Sequence, residues 1–556
     1  MNKSVFSTVT SQAPFINFTD GNRVQMASSM IRQSQTLVNP ELPLILTNHS
    51  FIYAQSFSCQ IAKESGIIVD KFNDVILVKY DSGEEDVFIM GDLFRSPYRI
   101  GDRFKKGDVI VHHLMYDVKN HLPLYGVNAN VMFSTENSRT YEDAVVLTKS
   151  GKEKFQYLYP VKIILEFQEN DIVQVANQLR PGSKISRGTL LATFRRFASS
   201  LMSVVSNEDH KLLSEYEFTV SRIFTKFTEE FINNQPEETI KFFKQFAFED
   251  KSLHPLIRKA VKRGFSFEAP AFIIIEGLSL RYPEVGDKFA NPYGNKGVVS
   301  FIIDDFNLYD DVNNIKFTPH VIHTPVGVPS RMNLGQILYM SLGYLLKYIV
   351  PQKLSEMNDV NEKLKFLIKF YAYIAPKPYV EKLVNALKNQ TKEQIRKHIE
   401  EVEREGFRIV LPQFTYNMFD KVYNLYKELN VPTSFIDERT GLRMGAGVIY
   451  TMLLEHLAFK KLKHLSVGEV DSRTLQPTDG QRMGEMEMWT LASHNALNFL
   501  KESLTIRSDD IVSKDKVIME LIKNGSSNMP KKTKSSTFDL FKAYMIQMGI
   551  ELHEED

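Results

Sequence analysis

Short apolar runs separated by turns mark the early part of the chain. Between about Ile52 and Thr148, Val75-Ile76-Leu77-Val78 and Asp108-Val109-Ile110-Val111 are examples, and such runs, bounded by turn residues, read as strands. Another β-like patch, Val161-Lys162-Ile163-Ile164-Leu165, leads to a Pro181-Gly182 turn. The pattern then changes. From about Asn207 to Gly264 the residues are charged, amphipathic and helical in period, with Pro236-Glu237-Glu238 as a helix start. Strand-like sequence returns at about Glu268 and holds to Thr324, including Ala271-Phe272-Ile273-Ile274-Ile275 and Gly297-Val298-Val299-Ser300-Phe301-Ile302-Ile303. From Arg331 onward helices dominate. Leu334, Ile337, Leu338, Leu342 and Leu345 form one apolar helical stripe, for which Ser330 is a candidate N-cap. Thr391-Lys392-Glu393-Gln394 reads as a capping box opening a charged helix that stops at Gly406. Its charge run is read as a solvated face.

β segments interrupted by a mostly helical insert and then resumed predict a discontinuous domain within an α+β, multidomain chain. At 556 residues one core is not enough. With 43% apolar and 24% charged residues the composition is globular. The stretch from Leu334 to Val350 contains Lys347 and is too short and mixed for a membrane span, and the start, Met1 to Phe6, lacks a secretion signal's apolar core. A formal charge of +1 argues against whole-surface, non-specific nucleic-acid binding, so any phosphate contacts must be local. The single cysteine, Cys59, excludes an internal disulfide framework and a multi-Cys zinc site, and fits a reducing cytoplasm. A basic cluster at Lys531-Lys532-Thr533-Lys534 reads as a solvated loop.

The segment with the most chemistry is Gly286-Asp287-Lys288-Phe289-Ala290-Asn291-Pro292-Tyr293-Gly294-Asn295-Lys296-Gly297. It places two lysines on a Gly- and Pro-punctuated loop between apolar runs. Glycines at 286, 294 and 297 permit close backbone approach to a ligand, and two ammonium groups suit a polyanion. The same residues also make common surface turns. Arg331, in the first turn of the helix read from Ser330, joins a guanidinium to a helix N-terminus, which together suit phosphate. The alternative is an Arg paired with a neighbouring carboxylate.

This segment resembles the active-centre lysine segment of the β subunit of multisubunit, DNA-dependent RNA polymerases. Other blocks follow that family's order. Asp20-Gly21-Asn22-Arg23 leads into Met30-Ile31-Arg32-Gln33, like the segment bordering the fork. Tyr141-Glu142-Asp143-Ala144 is similar to the acidic pair near the catalytic metals. Gly327-Val328-Pro329-Ser330-Arg331-Met332-Asn333-Leu334-Gly335-Gln336 resembles the next signature. Asp479-Gly480-Gln481-Arg482-Met483-Gly484-Glu485-Met486-Glu487-Met488-Trp489 and Arg507-Ser508-Asp509-Asp510 resemble the last two. The resemblance implies a discontinuous double-psi β-barrel interrupted by a flap insert, with a mainly helical C-terminal part. Its expected organisation is a fork-side segment over 1–50, the first barrel part over 51–154, the flap over 155–265 and the second barrel part over 266–345. A helical segment over 346–430 and an anchor and clamp-contact region over 431–556 follow.

By the same resemblance, Lys288 and Lys296 face the RNA 3′ end and nucleotide phosphates, and Glu142 and Asp143 approach a second, nucleotide-borne Mg²⁺, with Asp143 foremost. Arg331 and Arg23 contact the triphosphate, Arg32 supports the fork, and His456 lies near the initiating nucleotide, although a packed helical His is the plain alternative. The primary metal belongs to a β′ aspartate signature that this chain lacks, so the chain is expected to be inactive alone. Departures are Asn291-Pro292-Tyr293 in place of Gly-Arg-His, Asn137-Ser138-Arg139-Thr140-Tyr141 in place of Trp-Asn-Gly-Tyr-Asn, Ser29 for Asn, and Lys463 for a second histidine. Trp489 is read as packing, Glu485 and Glu487 as structural or β′-facing. The chain resembles only the C-terminal half of a bacterial β subunit, as in the split subunits of giant bacteriophages acting in a host cytoplasm. The implied partners are an N-terminal β piece, β′ pieces, a promoter-specificity factor, template DNA, RNA and nucleoside triphosphates. The rivals are a non-catalytic assembly or DNA-binding scaffold and a stand-alone metal-dependent phosphotransferase.

Overall fold

The computed structural model describes residues 6–72, 75–91, 93–196, 210–247, 254–257, 269–461, 483–528 and 535–553. The elements that position the site are helix α1 (Gly21–Arg32), strands β1 (Val127–Phe133) and β2 (Ala144–Thr148), insert strands β3 (Tyr157–Phe167) and β4 (Phe218–Phe227), strand β5 (Ala271–Arg281), the hairpin β6 (Lys288–Ala290) and β7 (Lys296–Ile303), strand β8 (Val321–His323), helix α2 (Gly335–Tyr344) and strand β9 (Arg443–Leu453). The chain divides into two compact units, 1–458 and 459–556.

In the first unit the strands run in the order β1-β8-β2-β7-β6-β9, and β9 also pairs antiparallel with β1 along all of Val127–Phe133. That last pairing closes a six-strand ring. Closure satisfies the backbone groups a sheet edge would leave open. The ring is assembled from distant parts of the chain: β2 pairs in parallel with β7, and β1 with β8. Strands from before and after the insert therefore pair in one sheet. β9 falls in the stretch that the sequence reading gives to helices, and most of its side chains are buried. Its run Val448-Ile449-Tyr450-Thr451-Met452-Leu453 carries the β-branched and aromatic residues of a strand buried on both faces.

Helix α2 packs on β9 and buries Leu338, Tyr339, Leu342 and Tyr344 in the main core. Each such side chain contributes about 1.5–3 kcal/mol by leaving water. No N-cap forms at Ser330. The helix begins four residues later, with Leu334 at the N-cap position, after a separate single turn over Gly327–Ser330. Met332 takes a left-handed conformation (φ 49°) and breaks the two turns apart.

The insert has its own sheet, β3-β5-β4 with Lys184–Ile185, and a three-stranded sheet beside it. β5, which the sequence reading places in the resumed β part, pairs with β3 over its whole length. The helical reading of 207–264 holds for Glu229–Asn233 and for Glu237–Gln245, which starts after Pro236 as expected. It fails for His210–Leu213 and β4, which are strands. In β4, Phe218 and Val220 point inward and Thr219 and Ser221 outward, a period of two that the surrounding charges obscured. The expected capping box at Thr391 and Gln394 is present, and Gly406 ends that helix. No helix among the described residues is long and apolar enough to cross a membrane.

Candidate active site

Lys288 and Lys296 do not sit on the loop. They lie in the two strands of the β6–β7 hairpin, whose register pairs Lys288 with Val298 and Ala290 with Lys296. Residues two apart share a face, so both lysines lie on one face as diagonal cross-strand neighbours, with Cα atoms about 7–8 Å apart. Phe289 and Val299, on the other face, are buried. Two like charges on one rigid face suit a ligand with several negative charges.

The intervening loop turns inward. The Asn291 Oδ1 accepts from the backbone N–H groups of Tyr293 (3.0 Å) and Asn295 (3.3 Å), an Asx-type turn. Asn291 and Asn295 both donate to Gln336 Oε1, and Asn333 Nδ2 donates to the Tyr293 carbonyl at 2.6 Å. All four amides are buried, so this network welds the hairpin to the segment opening α2. The residues replacing Gly-Arg-His thus serve packing. Asp287 is also buried and accepts from the N–H groups of Glu284 (2.9 Å) and Ala458 (2.7 Å). The sequence reading assigned no role to Asp287, Asn291, Asn333 or Gln336. The two asparagines flanking Pro292-Tyr293-Gly294 were the available signal.

Two glycines allow close approach, but of the protein's own chain. A Cβ on Gly294 (φ +74°) would lie 2.3 Å from the Arg23 carbonyl, and one on Gly297 would lie 2.2 Å from Val145 Cγ2 and 2.7 Å from the Asp143 carbonyl. That carbonyl accepts from Val298 N–H at 2.8 Å. The lysine hairpin, the Arg23 helix and the Asp143 turn are thereby brought together.

Arg331 completes the cluster. It sits at the C-terminal end of the single turn 327–330, so the helix N-terminus argument does not apply; a cation there is favoured by the opposite end of the dipole. Its guanidinium forms an ion pair with Asp143, their side chains being 20% and 44% exposed, and also reaches Asn295 Oδ1 at 3.5 Å. The paired-carboxylate alternative is thus realised, and its partner is itself a candidate site residue. Two depressions meet at Ser330 and Arg331. One, of about 600 Å³, is lined by Asp20, Arg23, Met26 and Ser29; the other, of about 420 Å³, by Thr140, Tyr141, Glu142, Asp143 and Thr324. Glu142 is exposed in a left-handed conformation (φ 50°). Burial pushes the His323 imidazole down to about 4, with Asp143 pulling the other way, so His323 is neutral at pH 7.

Arg23 Nη1 donates to the Gly294 carbonyl at 3.4 Å, from the first turn of α1, which Asp20 caps. Arg32 lies nine residues on, about 13 Å along the helix; it is exposed and donates to the Ser28 carbonyl. His456 is not helical. It occupies the turn after β9 and its Nε2 is 3.1 Å from Gln33 Oε1, while the nearby Leu454 N–H donates to the Lys288 carbonyl. The structure therefore gathers Lys288, Lys296, Asp143, Glu142, Arg331 and Arg23, and places Arg32 and His456 at the far end of α1.

Asp479 to Arg482, Lys463 and the Lys531 to Lys534 cluster lie outside the described residues. In the second unit, Trp489 is 61% exposed and does not pack as expected, its neighbour Met486 being exposed too. Asp509 and Asp510 are structural: Asp510 caps Ile511–Asn524, and Asp509 accepts from Ser535 and Thr537. No group of three or more metal-ligating side chains occurs among the described residues.

The family described as RNA polymerase Rpb2, domain 6, matches residues 9–483, and RNA polymerase Rpb2, domain 7, matches 479–556. The DNA-directed RNA polymerase subunit beta of Mycoplasma genitalium is 26% identical over 608 residues, covering 95% of this chain and 41% of that protein. The same-named protein of Ureaplasma urealyticum is 28% identical over 587 residues, covering 94% and 40%. The chain spans about two fifths of the length of the curated relatives it matches. With that match running through most of its length, the chain belongs to the RNA polymerase β-subunit (Rpb2) family and corresponds to a C-terminal part of such a subunit.

Proposed function

We propose that this chain is the C-terminal β component of a multisubunit DNA-dependent RNA polymerase, of the split kind made by giant bacteriophages and working in the host cytoplasm. Its ring would be the double-psi barrel of that fold and its insert the flap. The observation that carries the reading is the convergence of four distant sequence blocks, those of Arg23, Asp143, Lys288 to Lys296 and Arg331, on one surface.

The exposed Glu142 and the half-buried Asp143 are oxygen donors of the kind Mg²⁺ takes, and two carboxylates are too few to hold such an ion alone. When bound, Mg²⁺ would supply charge neutralisation at the triphosphate and activation of the RNA 3′-hydroxyl. The chain's own residues bind and orient. Lys288 and Lys296 present two positive charges to the RNA 3′ end and the phosphates. Arg331 exchanges its Asp143 partner for a phosphate oxygen, which its planar fork can bind bidentately. Asp143, so released, would be free to serve as an oxygen donor to a nucleotide-borne Mg²⁺. Arg23 adds a further cation across the first depression, and the neutral His323 behind Asp143 offers no competing charge. Partners would be an N-terminal β piece, β′ pieces, a specificity factor, template DNA, RNA and nucleoside triphosphates.

The test is to co-purify the chain with its partners and assay templated RNA extension. Assembly with loss of extension in K296A and D143N supports the reading. Undiminished extension in both variants would make the chain a scaffold, and extension by the chain alone would make it an independent phosphotransferase.

A further inference from the structure

The turn that carries Asp143 is held in an unusual backbone state. Glu136, Asn137 and Ser138 are consecutive left-handed residues, with φ of 40°, 54° and 65°. Outside glycine such residues cost on the order of 1 kcal/mol or more each, and a run of three persists only where its surroundings hold it. The Thr140 hydroxyl donates to the Ser134 carbonyl at 2.6 Å and the Ser300 hydroxyl to the Arg139 carbonyl at 2.7 Å. Those bonds fix the later part of the turn.

The left-handed run itself is gripped from elsewhere. Arg439, in the turn between the strand Phe435–Asp437 and β9, donates through both terminal nitrogens to the two Glu136 carboxylate oxygens, at 2.8 and 3.0 Å. It also donates to the buried Asp437 at 3.1 and 2.9 Å and lies over the Phe306 ring, 3.4 Å from its centroid. Glu136 is a buried carboxylate that shares the one Arg439 guanidinium with the buried Asp437. Such a fork fixes orientation as well as distance, which a lysine could not do. Neither residue lines the depressions beside Arg331.

We propose that Arg439 is a positioning residue for Asp143, acting through Glu136: the pair holds the left-handed turn and so fixes where the Asp143 carboxylate stands. This rests on the reading of Asp143 as an active-site group. It makes the 437–441 turn, 294 residues after Asp143 at its start, part of the site's support.

The experiment uses the assembled polymerase with E136Q, R439A, R439K, D143N and the E136Q/D143N pair. Single-nucleotide addition is followed against Mg²⁺ concentration, and hydrogen exchange over residues 134–143 is followed in the same complexes. E136Q and R439A should raise the Mg²⁺ needed for half-maximal rate about tenfold and speed exchange in the turn at least as much, with R439K close to R439A. E136Q should add nothing to D143N. Unchanged exchange in E136Q, or defects that multiply in the double variant, would overturn the proposal. E136Q keeps the volume of the side chain, so it carries the test if R439A does not assemble. A D143N complex with an unaltered Mg²⁺ response would instead sink the active-site reading, whatever the exchange shows.

Discussion

Replacing Gly297 by alanine should separate the lysine hairpin from the Asp143 turn. The added methyl would stand 2.2 Å from Val145 Cγ2 and 2.7 Å from the Asp143 carbonyl, both far inside van der Waals contact. The obstacle includes backbone, and Val145 is buried, so neither can simply swing away. Overpacking of this kind costs about 1–3 kcal/mol. Separating the strands would also weaken the 2.8 Å bond from Val298 N–H to the Asp143 carbonyl, worth about 1 kcal/mol net. The sum is about 2–4 kcal/mol, which is about a 30- to 1,000-fold rise in local opening. Hydrogen exchange over β7 reads that directly, with thermal unfolding in parallel. Gly445→Ala, on β9, is the control, since a Cβ there meets nothing within 4 Å; its effect should stay within about 0.5 kcal/mol. Wild-type exchange in the β7 peptides of Gly297→Ala would refute the argument that glycine is required by the approach of the Asp143 backbone.

Arg331→Ala should change stability by less than about 1 kcal/mol, because the ion pair is partly solvated, yet lower RNA extension by about 10²-fold in the assembled enzyme; thermal unfolding and single-nucleotide addition together check it. Asn333→Ala leaves the Tyr293 carbonyl without its buried donor and should cost about 1–3 kcal/mol by denaturant unfolding. Lys347, whose ammonium donates to the Asn128 carbonyl at 3.0 Å, is pushed down to about 8 by burial and then by Lys154, with Glu41 opposing. Its folded value lies below the unfolded one of about 10.4, so between those values the unfolded chain holds more protons. The penalty of its buried charge is complete below pH 8, and this group's contribution to stability rises as pH climbs from about 8 to 10. Lys347→Met should lose that rise in unfolding midpoints measured across the window.

Much of the candidate site was legible because its charged residues come in contiguous blocks. Lys288, Lys296, Glu142, Asp143 and Arg331 could be named from their blocks without knowing where the blocks lie. The supporting residues were not legible in this way. Asp287, Asn333, Gln336, Glu136 and Arg439 are ordinary polar residues in the sequence, and each takes its role from a partner elsewhere in the chain. Arg439 and Glu136 are 303 positions apart. The helix expected from Ser330 failed for a related reason: Asn333 is committed to the Tyr293 carbonyl, and Met332 turns left-handed to put it there.

Local pattern determined the ring strands on either side of the insert, apart from Lys288–Ala290 and β9, the helix starts at Pro236 and Thr391, and the residue types suited to phosphate, because side-chain period, capping and charge act over a few residues. Tertiary structure alone decided that β9 closes the ring, that β5 joins the insert, that both lysines share one face, and that Arg331 meets Asp143. Each of those depends on which distant strands pair and in what register, and a shift of one residue would have turned every side chain to the opposite face.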